Sequence, residues 1–280
     1  MLVKKIDEVR NLVKEWKAKG LTIGYVPTMG ALHEGHESLI KRAVKENDKV
    51  IVSVFVNPTQ FGPNEDYDSY PRNIEKDMEL CKNAGAAAVF NPEPSEMYSD
   101  NKSTTVSVSG LTEVLCGARR PGHFNGVCLV ITKFFNIVKP DRAYFGQKDA
   151  QQVAVLKRMV RDLSFDVEIV PCPIIREDDG LAKSSRNTYL SADERKAALV
   201  LSRSLTTAKE MLDNGERNAD KIKETMIFEI NNEPLAKIDY VEIVDSEDLS
   251  SISKIERSIL VPIAVYIGKT RLIDNFTYEI

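Results

Sequence analysis

Residues 50–56 read Val-Ile-Val-Ser-Val-Phe-Val, a run that is almost wholly apolar and largely β-branched. A strand with one wet face alternates polar with apolar positions. A run without that alternation is buried on both faces, as at the centre of a parallel sheet covered by helices. Parallel neighbours need crossover connections, and the flanking sequence supplies them. Val3, Ile6, Val9, Leu12, Val13 and Trp16 give a helical spacing over 3–19, which ends at Gly20. Residues 21–26 form a short apolar run that Pro27 is expected to stop. Helices over about 35–45, 73–84, 124–139 and 149–162 alternate with strands at 86–90, 142–146 and 165–171. Repeated βα units of this kind predict an α/β fold built on a doubly wound parallel sheet. Such sheets bind ligands at the carboxyl ends of their strands, where the strand order reverses.

The pattern changes near residue 177. Ser191-Ala192-Asp193-Glu194 is a capping box that opens a long helix to about Leu212, and a second helix covers 218–231. Strand-like runs follow at 238–244, 259–267 and 271–278. The expected organisation is a larger domain over 1–177 and a smaller C-terminal α+β domain over 178–280.

Composition removes several function classes. With 280 residues, 42% hydrophobic and 29% charged, the chain can bury real cores. The net charge of -4 gives no basic field for nucleic acid or anionic lipid, so any phosphate must meet local cations. Cys81, Cys116, Cys128 and Cys172 form no CxxC pair and read as free thiols of a reducing cytosol. Only His33, His36 and His123 exist, too scattered for a histidine-built metal site, so no protein metal site is expected. The first eight residues contain no apolar targeting core, and no stretch approaches the roughly 18 apolar residues of a membrane span. A cytoplasmic location is expected.

Polar residues concentrate where strands end. Pro27-Thr28-Met29-Gly30-Ala31-Leu32-His33-Glu34-Gly35-His36 follows a strand and opens a helix, a position where backbone N–H groups and the helix dipole favour phosphate. The two histidines lie three apart and can share one face, offering donors to phosphate oxygens. Asn57-Pro58-Thr59-Gln60 leaves the most hydrophobic strand, and its amides can orient a small polar ligand. Gly146-Gln147-Lys148-Asp149 again joins strand to helix, with Lys148 a cation for phosphate, Asp149 a cap or a ribose or magnesium partner, and Gln152 one turn later. Lys183-Ser184-Ser185-Arg186 offers two hydroxyls and a guanidinium. The loop at 120–127 adds Arg120 and His123, candidates for an anionic group.

Taken together, in this order and spacing, these segments resemble the pantothenate synthetases, the pantoate–β-alanine ligase family, over nearly the whole chain. His33-Glu34-Gly35-His36 matches the HxGH signature of a nucleotidyltransferase superfamily, and residues 183–186 match its serine-rich second signature. The resemblance implies a Rossmann-like first domain, a smaller domain covering the site, a homodimer, and ATP accompanied by Mg2+. It implies that pantoate and β-alanine are joined through a pantoyl-adenylate, with release of AMP and pyrophosphate. By the same resemblance Met29, Gly30, Ala31, Leu32, His33, Glu34, Gly35 and His36 line ATP, as do Gly146, Gln147, Lys148, Asp149, Ile175, Lys183, Ser184, Ser185 and Arg186. Gln60 and Gln152 bind pantoate, Gln60 lies near β-alanine, and His36 is the proton-donor position. Lys183 departs from the methionine usual in the family.

The chemistry needs no base for the first step, since a carboxylate with a pKa of about 4 is ionised at neutral pH. It needs charge stabilisation, for which His33, His36, Lys148 and Arg186 are the candidate catalytic groups. Three other readings stay open at this point. A dinucleotide-forming transferase would meet a second phosphate, which the neutral Gln60 and Gln152 do not suit. A nucleotide sensor would have no need of both His36 and Lys148. A thiol redox protein would need a CxxC.

Overall fold

The computed structural model describes residues 1–63 and 65–280. In chain order the first elements are β1 (Leu2–Val3), α1 (Ile6–Ala18), β2 (Ile23–Thr28), α2 (Glu34–Glu46), β3 (Lys49–Val54) and α3 (Ile74–Asn83). Then come β4 (Ala88–Phe90), α4 (Pro94–Met97), α5 (Leu115–Arg119), α6 (His123–Val138), β5 (Arg142–Gly146), α7 (Ala150–Asp162) and β6 (Glu168–Cys172). The remainder is α8 (Ala192–Ala197), α9 (Leu199–Asp213), α10 (Ala219–Asn231), β7 (Ala236–Val241), β8 (Val244–Asp245), β9 (Ile259–Ile267) and β10 (Thr270–Tyr278). By its contacts the chain divides into two compact units. One is Met1–Gln147 with Val155–Pro173, the other Lys148–Ala154 with Ile174–Ile280.

The first unit is Rossmann-like. Its six strands are all parallel, in the order β1-β4-β3-β2-β5-β6. The chain winds outward from β2 through β3 to β4, then returns to the other side of β2 for β5 and β6. The order therefore reverses between β2 and β5, which makes their carboxyl ends the expected ligand position.

β3 shows why its sequence had to be apolar. Val50, Val52 and Val54 pack on one face with Leu39, Ile40 and Ala43 of α2 and Cys81 of α3. On the other face the aromatic rings of Tyr25, Phe55 and Phe90 surround Phe134 of α6 at centroid distances of 5.7, 6.1 and 6.1 Å. Ser53, the polar exception in the run, is fully buried, and its hydroxyl meets the Tyr25 hydroxyl at 2.7 Å. Each buried polar group thus satisfies the other.

The second unit holds an antiparallel sheet in the order β10-β9-β7, with β8 also on β9. α9 and α10 cover it with Leu201, Leu205, Leu212, Ile222, Met226 and Ile230, which meet Ile259, Val261, Ile263 and Val265 of β9. Arg176 is held to the buried Asp274 of β10 by two bonds of 2.6 and 2.9 Å.

Four local expectations are corrected. Leu2–Val3 is not helical but pairs in parallel with Val89 and Phe90 at the sheet edge, too short to leave a period-two signal. Pro27 does not stop its strand: β2 runs on to Thr28 because its pairing with β5 ends at Tyr25, so the proline removes no donor from that ladder. The helix expected over 191–212 is two helices. At their junction Leu201 N donates to Ala198 O at 3.2 Å, a three-residue turn that interrupts the four-residue ladder. The strand expected at 238–244 is β7 and β8, with an irregular register between Ile238 and Tyr240.

Candidate functional site

β2 ends at Thr28, and the chain must turn sharply to start α2 at Glu34. Gly30 and Ala31 make the turn with positive φ of 88° and 50°. Glycine suits position 30 because its φ of 88° is one that side chains rarely adopt, and a Cβ there would also crowd Asp77 Oδ2 at 3.0 Å and Val54 Cγ1 at 3.1 Å. Asp77, on α3 and only 3% exposed, accepts from Ala31 N at 3.1 Å and from Leu32 N at 2.8 Å. The Thr28 hydroxyl donates to Ser53 O at 2.6 Å and accepts from Gly30 N at 3.2 Å.

His33 is the N-cap of α2, a place usually taken by serine, threonine, aspartate or asparagine. Its Nδ1 accepts from Gly35 N at 3.1 Å, and His36 Nδ1 accepts from His33 N at 3.3 Å. The two rings lie 4.1 Å apart, centroid to centroid, tilted by 45°. An Nδ1 that accepts a backbone N–H leaves the neutral ring's proton on Nε2. Both histidines are thus set as Nε2–H donors. The backbone N–H groups of Ala31 and Leu32 thus go to Asp77 of α3, and those of His33 and Gly35 to the two imidazoles.

The second strand end is tied to the first. Gln60 Nε2 donates to Met29 Sδ at 3.1 Å, and Gln60 Oε1 accepts from Asn57 Nδ2 at 3.0 Å. Asn57 is 1% exposed. Its amide also donates to Gly126 O, and its oxygen accepts from Thr59 N, the Thr59 hydroxyl and the Tyr98 hydroxyl. That exhausts its hydrogen-bonding capacity, so Asn57 holds the loop in which Gln60 sits. Arg120 and His123, expected to meet an anion, have internal partners as well. Arg120 pairs with Glu65 at 2.6 Å, and His123 Nδ1 lies 2.8 Å from Gln60 O. Burial pushes the Glu65 carboxyl up, but its bond to Arg120 and the adjoining positive charge outweigh that and hold it below its ordinary value.

Gly146 ends β5 beside β2 at the reversal of strand order, and Gln147 and Lys148 follow in a 3-10 turn. Within the second unit the Lys148 carbonyl accepts from Asn275 Nδ2 at 2.8 Å. Asp149 is exposed, while Lys148 and Gln152 are half-buried. Lys183 N donates to Ile175 O at 2.9 Å, which brings those two predicted residues together. Ser184 caps a short 3-10 turn, its hydroxyl accepting from Arg186 N at 3.3 Å, and the turn carries Ser185 and Arg186. The Lys183 ammonium lies 2.9 Å from the Glu177 carboxylate.

Asp77, Glu65 and Gly126 were missed from sequence. Two of them left a trace. Asp77 is a carboxylate on the same helical stripe as Ile74 and Cys81, and Gly126 lies inside an otherwise apolar helix, where glycine costs about 1 kcal/mol. A Cβ at Gly126 would land on the Thr59 carbonyl, so the helix and the loop could not meet. Among the described residues no group of three or more His, Cys, Asp or Glu side chains is gathered as a metal site, and no helix is long and apolar enough to cross a membrane.

The sequence model of the family described as pantoate-beta-alanine ligase matches residues 1–277. A pantothenate synthetase of Clostridium acetobutylicum is 70% identical over 275 residues, 98% of each chain. One of Clostridioides difficile is 67% identical over 280 residues, 100% of this chain and 99% of the relative. Among solved structures, pantothenate synthetase of Thermus thermophilus superposes with a TM-score of 0.94 at 44% identity, covering 98% of both chains. Pantoate-beta-alanine ligase of Francisella tularensis, complexed with beta-gamma ATP and beta-alanine, superposes with a TM-score of 0.79 at 35% identity, covering 99% of this chain and 97% of its own. With the whole chain matched, a shared fold and the paired histidines in place at the strand-to-helix turn, the chain belongs to the pantoate–β-alanine ligase family.

Proposed function

We propose that the chain joins pantoate and β-alanine at the expense of ATP, releasing AMP and pyrophosphate through a pantoyl-adenylate. The observation that carries this reading is the His33–His36 pair. It caps α2 at the carboxyl end of β2 with both Nδ1 atoms held by backbone N–H groups, in a chain that belongs to this family throughout. The complex of the Francisella relative supports ATP and β-alanine as substrates.

In the first step the ionised carboxylate of pantoate attacks the α-phosphorus. The barrier is repulsion between anions and charge on the departing pyrophosphate. The Nε2–H groups of His33 and His36, with Lys148 and Arg186, stabilise that charge, and His36 supplies a proton as the product leaves. Met29, Gly30, Ala31, Leu32, Glu34 and Gly35 line the nucleotide, as do Gly146, Gln147, Asp149, Ile175, Lys183, Ser184 and Ser185. Gln60 and Gln152 bind pantoate through neutral amides, which avoids a tight ion pair that would blunt the attacking carboxylate. In the second step the amine of β-alanine attacks the acyl carbon, positioning supplies much of the rate, and Gln60 lies near β-alanine. Mg2+ arrives with the nucleotide as its phosphate complex, the usual way for this ion. A cytoplasmic homodimer, with domains over 1–177 and 178–280, completes the reading.

The test is to incubate the protein with ATP, Mg2+, pantoate and β-alanine and to identify the nucleotide formed. AMP that accumulates only when both substrates are present is the expected result. ADP, or no consumption of ATP, overturns the reading.

A further inference from the structure

Glu65, Arg120 and His123 form a chain of hydrogen bonds that ends on the backbone of Gln60. Arg120 grips Glu65 with Nε to Oε1 at 2.7 Å and Nη2 to Oε2 at 2.6 Å. Its Nη1 reaches His123 Nε2 at 3.0 Å, and His123 Nδ1 lies 2.8 Å from Gln60 O. A carbonyl only accepts and a guanidinium only donates. His123 is therefore a neutral ring with its proton on Nδ1, accepting from Arg120 and donating to Gln60. This is the opposite tautomer to that of His33 and His36, and each is set by its backbone partner.

The chain's anchor is geometrically specific. A bidentate guanidinium–carboxylate pair fixes two planes against each other, and these side chains are only 19% and 24% exposed. Arg120 and His123 flank the turn between α5 and α6, where Gly122 has φ of 83°, so both side chains of this turn serve one loop. Gln60 is then held at its carbonyl by His123, at Oε1 by Asn57, and against Met29 through Nε2.

We propose that Glu65 is a positioning residue for the acid substrate: through Arg120 and His123 it fixes the backbone of Gln60, and with it the place of the Gln60 amide. The proposal rests on the ligase reading above for the identity of that substrate. Glu65 touches no reacting atom. Its removal lets Arg120 and then His123 rotate away from the Gln60 carbonyl, which loosens a group that binds pantoate, while the nucleotide loop keeps its own ties to Thr28 and Asp77.

Steady-state kinetics of Glu65→Ala test this. The KM for pantoate rises about tenfold, while kcat and the KM for ATP stay within about threefold, the pattern of lost uniform binding. Glu65→Gln, which keeps one acceptor oxygen, falls between wild type and Glu65→Ala. Because both changes cut the same path, Glu65→Ala combined with His123→Ala raises the pantoate KM no further than the larger single effect. An unchanged pantoate KM, an equal rise for ATP, or multiplying effects in the double variant overturns the proposal.

A readout independent of turnover is the 15N spectrum of the wild-type histidines, with His123 assigned through His123→Asn. A proton on Nδ1 of His123 is expected, and one on Nε2 overturns the chain of bonds whatever the activity. If the wild type forms no AMP, the ligase reading falls, while the tautomer still decides whether Glu65 and Arg120 position Gln60.

Discussion

Asp77 accepts a hydrogen bond from the backbone of Leu32 at 2.8 Å across 45 residues of sequence, and so fastens the turn that places both histidines. The second bond of this carboxylate, from Ala31 N, holds a non-glycine residue at φ of 50°. Burial pushes the Asp77 carboxyl above its ordinary value, against the two backbone bonds that pull it down. A carboxyl raised in the folded state contributes stability that is present below the unfolded value, about 3.9, and is lost as pH rises through the folded value. Denaturant midpoints measured across pH should show the advantage of wild type over Asp77→Asn shrinking from acid to neutral. An advantage that grows with pH contradicts this. The KM of the same variant for ATP should rise about tenfold, the scale of one lost charge-assisted bond.

His33 has two duties, capping and charge stabilisation, which substitution can separate. Asparagine is a good N-cap, so His33→Asn should keep the melting temperature near wild type while turnover falls. His33→Ala should lose both, with about 1 kcal/mol of stability gone. His36→Ala should lower kcat by about 10²–10³-fold, the scale of one transition-state donor. Near-normal turnover in a folded His36→Ala protein would remove its assigned role.

Gly126 is where α6 touches the Gln60 loop. In Gly126→Ala the new methyl meets the backbone of Thr59 and Gln60, which no rotamer can relieve. Overpacking of this kind costs about 1–3 kcal/mol, to be read as a lower urea midpoint. Because the displaced backbone is that of Gln60, the KM for pantoate should rise in the same protein. A variant as stable as wild type would mean that the loop moves aside freely.

Lys183 stands where the family usually has methionine. Its ammonium is engaged by Glu177, in a pair that is 17% and 33% exposed. Taking the cation from a pair this well covered leaves the Glu177 carboxylate without it, at a cost of about 1–3 kcal/mol. Lys183→Met should therefore change stability by no more than that and leave the KM for ATP within about threefold. A much larger change in ATP affinity would show that the lysine reaches the nucleotide.

Much of the fold was legible because its signals are local. The run at 50–56 and the helical spacings around it call for a parallel sheet. β5 and β9 span the expected residues, and Ser191 and Glu194 form the capping box read from sequence. The first two residues of the sheet, the split at Ala198 and the continuation of β2 through Pro27 were not legible. Each depends on a neighbouring strand or turn rather than on its own composition.

The same division runs through the site. By itself the sequence determined which chemistry is on offer: two histidines at a strand-to-helix turn, neutral amides after the central strand, and cations near later turns. It did so because side-chain type and short-range spacing are properties of the chain alone. Only the tertiary structure decided what each group is committed to. Asn57 and His123 bond to Gln60, Arg120 bonds to Glu65 and His123, and the tautomers of His33 and His36 follow from backbone donors within one turn. Asp77 and Glu65 enter only because folding brings them to residues 45 and 55 positions away. A hydrogen bond is specific over about 3 Å and indifferent to sequence distance. Roles of this kind therefore exist only once the chain has closed on itself.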